Sequence, residues 1–125
     1  MREYLIRLPW PPKELTPNYR RSHHWTAYAT KANKYRETCW KETLAVTGAS
    51  PSGLSKPLPM LITFHPPDRR HRDDDGIIGS FKIGRDGVAD ALGVDDRHFR
   101  PTYEFADPKK GGCILVHIEH RGIVT

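Results

Sequence analysis

The chain has 125 residues, with 20 lysines and arginines against 15 acidic residues and a formal net charge of +5. This length fits one domain over residues 1–125 with a modest core, and the periodic apolar runs favour a folded domain over a disordered chain. The positive charge favours a polyanionic partner, usually nucleic acid for a small basic domain, with a soluble basic protein lacking such a partner as the alternative.

The composition also bears on compartment and membrane association. Cys39 and Cys113 lie far apart and form no CxxC pair, which predicts two buried thiols in a reducing compartment and no disulfide or zinc site. No apolar run approaches the roughly 18 residues of a membrane span. The opening MREYLIRLPWPP lacks the features of a signal peptide. We therefore expect a cytoplasmic protein that does not act at a membrane.

The first half of the chain predicts one strand and one helix. Apolar side chains alternate over residues 3–8, which indicates a half-buried strand, and the prolines that follow end it. The polar, basic and aromatic segment ELTPNYRRSHHW is expected to be an ordered loop. A helix then begins at Thr26 or Thr30 and reaches about Ala45.

The second half predicts a strand, a helix and two further strands. The helix begins near Asp75 or Gly76 and ends near Leu92. Gly84 and Gly87 within it indicate close packing, a kink or a bound backbone. The order β-α-β-α-β-β predicts an α+β domain in which two helices cover a small mixed sheet. The strands are expected at about residues 58–65, 101–106 and 112–119.

Three consecutive carboxylates, Asp73, Asp74 and Asp75, occur between the second strand and the second helix. Adjacent like charges repel, and a divalent cation would relieve that repulsion. In an extended segment Asp73 and Asp75 point to one side, so we expect them to converge on one ion while Asp74 faces solvent. A sparse aspartate site suits Mg²⁺. Asp95 or Asp96, beyond the far end of the helix, completes the site if that end folds back.

The same aspartates have other interpretations. An EF-hand fails, because aligning Gly76 with the glycine of that motif places Lys82 where its glutamate must be. A helix N-cap with solvated neighbours is the structural alternative. The preceding basic run favours function, since cations neutralise phosphates while carboxylates hold a metal against the scissile one. The segment therefore predicts a metal-dependent phosphodiesterase or nuclease, in which Arg69, Arg70 and Arg72 contact phosphates unless they are only a solvated charge run.

A second basic segment combines cations with an aromatic residue, which suits backbone contacts and stacking on unpaired bases. The alternative is a loop in which Trp25 plugs the core. Zinc ligation by the histidines is disfavoured, because no cysteine or nearby glutamate completes a ligand set. The candidate DNA-binding residues in this segment are Asn18, Arg20, Arg21, His23 and His24.

Four segments, in this order, carry a resemblance: LPWPP near the start, the loop with Asn18, Arg20 and His23 or His24, then PDRRHRDDDG, then DGVADALGVDDRHF. Together they resemble the RusA family of Holliday junction resolvases from residue 5 to about 99, and the central motif is the specific part. The resemblance implies that Asp73, Asp75 and Asp96 are catalytic metal ligands, with Asp95 in a supporting role.

The resemblance also implies a catalytic lysine on the helix that follows the aspartates. Four residues beyond Asp75 stands Gly79, so Lys82 is the candidate, and the three lie along one face of a continuous helix. An ordinary exposed lysine is the alternative. Gly76 departs from the family, which usually has asparagine there, and this removes a possible hydrogen bond to a metal ligand.

The function implied by the resemblance is Mg²⁺-dependent resolution of four-way DNA junctions, in recombination and repair and often in prophages. A homodimer would present two sites to a nearly two-fold symmetric junction, so that paired cuts follow from symmetry. The choice between Mg²⁺ and Mn²⁺ stays open. The alternatives are a nuclease for flaps or forks, and a junction-binding protein whose catalytic site has decayed.

Overall fold

A computed structural model describes residues 2–22 and 25–120, and gives the backbone alone for residues 2, 20–22 and 120. The described chain is an α+β domain with a four-stranded mixed sheet, as predicted. Short 3-10 turns occur at Lys13–Leu15 and Asp96–His98. In chain order the strands and helices are β1 (Arg2–Pro9), α1 (Pro17–Ser22), α2 (Trp25–Thr47), β2 (Leu58–His65), α3 (Asp74–Ser80), α4 (Lys82–Leu92), β3 (Phe99–Phe105) and β4 (Cys113–His120).

The sheet has the strand order β1-β4-β2-β3, with β2 and β3 parallel and the other pairs antiparallel. Alternation along each strand sends one set of side chains into the core. The core lies between this face and α2 with α4, while on the opposite face no helix of residues 2–22 and 25–120 covers the strands. The strand side chains that are buried include Ile6, Leu8, Leu58, Met60, Ile62, Phe64, Ile114, Val116 and Ile118.

Two glycines let α4 pack closely on α2 and its own preceding turn. A Cβ at Gly87 would lie 2.4 Å from the carbonyl oxygen of Arg36, and one at Gly84 would lie 2.6 Å from the Phe81 ring and 2.8 Å from the Tyr35 ring. Of the three meanings that the sequence left for these glycines, close packing is therefore the one observed.

The prediction of two helices is wrong in number, because four are present in the described chain. The segment Pro17–Ser22, predicted as loop, forms α1, and its proline occupies the first helical position, where a missing N–H costs nothing. The second predicted helix is divided at Phe81, whose N–H is shared between the carbonyls of Ile77 and Ile78.

The end of α4 is as predicted, at Leu92 before Gly93. Gly93 adopts the left-handed conformation with φ of 68°, and its N–H donates to the carbonyl of Ala89. Among the described helices, none combines the length and apolar character that a membrane crossing requires.

Candidate functional site

An open cleft of about 1250 Å³ lies where β2 ends. One wall is the loop after β2 together with the start of α3, and this wall carries all three aspartates of the DDD sequence. The other wall comes from the segment between β1 and α1. Side chains that line the cleft include Trp10, Lys13, Asn18, Arg70, His71, Arg72, Asp73, Asp74 and Asp75.

The three carboxylates are available for binding. Asp73 is the N-cap residue of α3, but its side chain makes no capping hydrogen bond and is 85% exposed. The Nε2 atom of His71 lies 3.5 Å from Asp73 Oδ1. Asp74 and Asp75 are exposed, and within residues 2–22 and 25–120 neither side chain has a hydrogen bond or ion pair. These carboxylates are therefore not used to stabilise the local structure.

The distinction predicted between Asp74 and its neighbours does not hold. Asp73 is extended, with φ of −70° and ψ of 137°, whereas Asp74 and Asp75 already belong to the first turn of α3. Alternation between two faces applies only to extended backbone, so it cannot separate Asp74 from Asp75. All three side chains line the same cleft.

Arg72 braces the loop that presents the aspartates. Its side chain is 15% exposed, and its guanidinium donates to the carbonyls of Asp68 (3.2 Å) and Arg70 (3.0 Å) and pairs with the Asp68 carboxylate at 2.9 Å. It also lies over the Trp10 ring, 5.8 Å from the centroid. Most of its donors are therefore engaged inside the protein, which favours a structural role over the predicted phosphate contact.

Asp68 is the acceptor at the centre of this loop. Its carboxylate accepts a hydrogen bond from the backbone N–H of Arg70 at 3.0 Å. That hydrogen bond, with Arg72 beside it, lowers the pKa of the Asp68 carboxyl. The ionised form of Asp68 thus helps to fix the turn from which the basic run emerges.

The remaining basic residues of the cleft are placed to meet an anion. Arg70 and His71 are exposed and line the cleft, and Lys13 lies on the opposite wall. Arg69 is exposed but is not part of the lining. Lys13 and Trp10 were not predicted as site residues, although both stand in or next to the LPWPP segment.

The second basic segment is described only in part. Asn18 lines the cleft from α1. Trp25 is 69% exposed at the start of α2, so the interpretation that it plugs the core is wrong. The side chains of Arg20 and Arg21, and both histidines His23 and His24, lie outside the described residues, and their predicted DNA contacts stay predictions.

A second, smaller cleft of about 420 Å³ holds another group of acids at the end of α4, lined by Arg36, Asp86, Asp90, Asp95 and Asp96 among others. Arg36 forms a two-pronged ion pair with Asp90, at 2.8 and 3.0 Å. Burial raises the pKa of the Asp86 carboxyl, and the charges of Asp96 and Asp90 raise it further, against the opposing effect of Arg36. Asp95 caps the following turn by accepting from the N–H of Arg97 at 3.0 Å.

Asp96 does not join Asp73 and Asp75 within one chain. Because β2 and β3 are parallel and Leu58 pairs with Phe99, residues just before β3 lie where β2 begins, whereas Asp73 follows the end of β2. Eight strand residues span roughly 20 Å or more. In the described part of the chain, no three His, Cys, Asp or Glu side chains are grouped to hold a metal ion. The expected fold-back of the helix end is therefore not observed.

Lys82 is also separated from the cleft. It is the exposed first residue of α4, beyond the irregular turn at Phe81, and it is not among the residues lining the cleft. The continuous helix that would align it with Asp75 is interrupted. Its charge instead acts on Asp86, one turn further along α4, where it partly opposes the rise in the pKa of that carboxyl caused mainly by burial.

Comparison with known proteins adds one relative. No family model matches the chain. The chain is 45% identical over 98 residues to an uncharacterized protein of Xylella fastidiosa, and the match covers 75% of this chain and 61% of that protein. The aligned part of the chain thus spans about three fifths of the relative's length. The relative's name states no activity.

Proposed function

We propose that the protein is a Mg²⁺-dependent endodeoxyribonuclease that resolves four-way DNA junctions, as the RusA family does. The observation that carries the proposal is the cleft in which three exposed carboxylates lie beside Arg70, His71 and Lys13. Carboxylates alone would repel DNA, and cations alone would suffice for binding. Their combination in one open cleft suits the cleavage of a phosphodiester through a bound metal ion.

The donors present fit Mg²⁺. Asp73 and Asp75 are the ligands we propose, because they offer hard oxygen atoms that no other described side chain neutralises, apart from the weak contact of Asp73 with His71. Mg²⁺ accepts a small number of carboxylates and retains water in its remaining positions. An ion held by Asp73 and Asp75 would supply activation of a water for attack on phosphorus and neutralisation of the leaving oxygen. Mn²⁺ satisfies the same donors.

The chain's own residues then divide the remaining work. Arg70 and Lys13, on opposite walls, would hold the DNA backbone in the cleft through its phosphates. Arg72 holds the loop that carries Asp73, so that Asp73 would face the backbone of DNA bound in the cleft. The resemblance assigns Asp96 and Lys82 to catalysis as well. The geometry of the single chain leaves both outside the site that we propose here.

The preference for four-way junctions and the homodimeric state rest on the resemblance, whereas the cytoplasmic location is proposed from the composition of the sequence alone. A nuclease for flaps or forks would use the same cleft and chemistry. Cleavage of a four-way junction, a flap and a fork at equal concentration separates these substrates. A catalytically decayed protein would bind the junction and fail to cut it with any metal.

The decisive experiment is cleavage of a four-way junction with and without Mg²⁺ by wild type and by Asp73→Asn. We expect Asp73→Asn to abolish cleavage and to retain junction binding in a gel-shift assay, since the substitution removes a ligand charge and keeps the shape. Glu37→Gln, an exposed carboxylate on α2 that pairs with Lys41, is the matched control and should cut normally. Undiminished cleavage by Asp73→Asn would refute the proposed site.

A further inference from the structure

The uncovered face of the sheet has a patterned surface. Its centre carries apolar side chains, among them Leu5, which is 58% exposed on β1, with Leu61 on β2 and Leu115 on β4 only partly buried. Exposed charges stand at its corners, two on each edge strand, and Glu119 on β4 adds an exposed carboxylate beside Glu3. Large apolar side chains grouped within a charged border are typical of a surface that another molecule covers.

The strand register fixes where these side chains stand. One row across the sheet reads Leu5, His117, Leu61 and Thr102, and the next reads Arg7, Leu115, Thr63 and Glu104. At the other end, Glu3 lies on β1 opposite Glu119, and Arg100 lies on β3 opposite Pro59. The corners are therefore Glu3 and Arg7 on one edge strand, and Arg100 and Glu104 on the other.

The corner charges alternate in sign around the face and are largely unused within one chain. Arg7 and Glu104 form no ion pair within the described residues, since they stand at opposite ends of a row about 14 Å wide. Glu3 Oε2 lies 3.6 Å from the Nε2 atom of His117 on the neighbouring strand. The Arg100 guanidinium donates hydrogen bonds to the carbonyls of Arg97 and Phe99. Apart from the contact between Glu3 and His117, no opposite charge among the described residues pairs with these four corners.

We propose that this face docks a second copy of the chain, sheet against sheet, about a two-fold axis in the plane of the interface. An axis along the strands places β1 over the second copy's β3, so that Arg7 meets Glu104 and Glu3 meets Arg100. An axis across the strands pairs Glu3 with Arg7 and Arg100 with Glu104. Unlike charges therefore meet in both aligned arrangements, while the leucines are buried between the sheets.

The size of the face indicates a reversible dimer. Four strands about 4.8 Å apart and about 3.3 Å per residue give a face of roughly 500 Å² in projection. Standard stable interfaces bury about 800 Å² per partner, so this surface belongs near the lower limit. None of its residues lines the acidic cleft, so docking leaves the cleft open to DNA.

The second copy belongs to the homodimer of the proposed function, and this surface rests on that part of the proposal. The test uses no DNA, so its failure is distinct from a failure of the nuclease assignment. Sedimentation velocity is measured for the full chain from micromolar to submillimolar concentration. One variant combines Glu3→Lys with Glu104→Lys, which makes all four corners positive, and the other combines Arg7→Glu with Arg100→Glu, which makes all four negative.

We expect wild type to dimerise, each variant alone to self-associate about tenfold more weakly or worse, and an equal mixture of the two variants to form a heterodimer. Lys31→Glu with Lys34→Glu, on the exposed surface of α2, changes the net charge by the same amount as the acidic variant and should dimerise like wild type. Circular dichroism verifies that every variant is folded. A monomeric wild type, variants that dimerise normally alone, or a mixture that stays monomeric would each overturn the proposal.

Discussion

Replacement of Arg72 by alanine distinguishes a brace of the acidic loop from a contact to DNA. The hydrogen bonds to the carbonyls of Asp68 and Arg70 contribute about 1 kcal/mol each. The ion pair with Asp68 adds little to stability, because Asp68 is exposed and solvent screens the pair. We therefore expect Arg72→Ala to lower the free energy of unfolding by about 2 kcal/mol, measured by urea denaturation.

Arg70→Ala is the matched comparison, since Arg70 lines the same cleft with an exposed side chain. Its loss should change the free energy of unfolding by no more than about 0.5 kcal/mol. Each phosphate contact contributes about one unit to the slope of log K for DNA binding against log salt concentration. Arg70→Ala should therefore reduce that slope by about one. Arg72→Ala should leave the slope unchanged.

Cleavage provides the third readout of the same pair of variants. A looser loop holds Asp73 less firmly, so Arg72→Ala should slow cleavage at saturating DNA, whereas Arg70→Ala should act mainly through affinity. If Arg72→Ala left stability unchanged and reduced the salt slope as Arg70→Ala does, the bracing role would be refuted.

Three further substitutions have definite expectations. Gly87→Ala should destabilise the fold by about 1–3 kcal/mol, because the new Cβ meets the Arg36 carbonyl. Gly76→Ala should leave stability unchanged, because the nearest atom to its new Cβ lies 4.0 Å away. Calorimetry compares the thermal unfolding of the two variants. The same space admits Gly76→Asn, which should raise Mg²⁺-dependent cleavage by about tenfold by adding a donor near Asp73; an unchanged rate would contradict this. The pKa of Asp86 is raised in the folded state, so its ionisation above the unfolded pKa penalises folding. Asp86→Asn should therefore stabilise the protein at neutral pH, with the gain vanishing as pH falls below about 4; a gain that persists in acid would exclude this cause.

The strands could be predicted because their signal is local. Alternation of apolar residues located β1 and β2, and the turn before β4 was evident from its glycines. The strand order depends on pairings between distant segments, which no local pattern encodes. The parallel β2–β3 pair in particular requires a crossover, and this is what carries Asp96 to the opposite end of the sheet from Asp73.

The helices illustrate a different limit. The core-facing pattern of α2 was readable because Ala32, Tyr35 and Cys39 recur at helical spacing. Helix α1 was missed because its polar sequence has no such periodicity. The break at Phe81 was missed because the apolar spacing continues through it, and the irregular hydrogen bonding there leaves that spacing unchanged.

The acidic residues of the candidate site could be predicted from the sequence, whereas the other residues that line its cleft could be predicted less well. A run of aspartates after a basic run is visible in the sequence, but the roles of the basic residues are not. Arg70 and Arg72 are two positions apart and both line the cleft, yet Arg70 is exposed whereas the Arg72 side chain is 15% exposed and bonded within the loop. Lys13 and Trp10 reach the same cleft from more than fifty residues away, through tertiary packing.

The contact between Arg72 and Trp10 allows the cleft to be followed by tryptophan fluorescence. The chain has three tryptophans, and Trp25 and Trp40 are 69% and 38% exposed. Trp10 lines the cleft, lies under Arg72 and meets Phe64 edge-on at 6.4 Å. In a chain with phenylalanine in place of the other two, the tryptophan emission would come from Trp10 alone. Its fluorescence would then report directly on what enters the cleft and on how firmly the acidic loop is held.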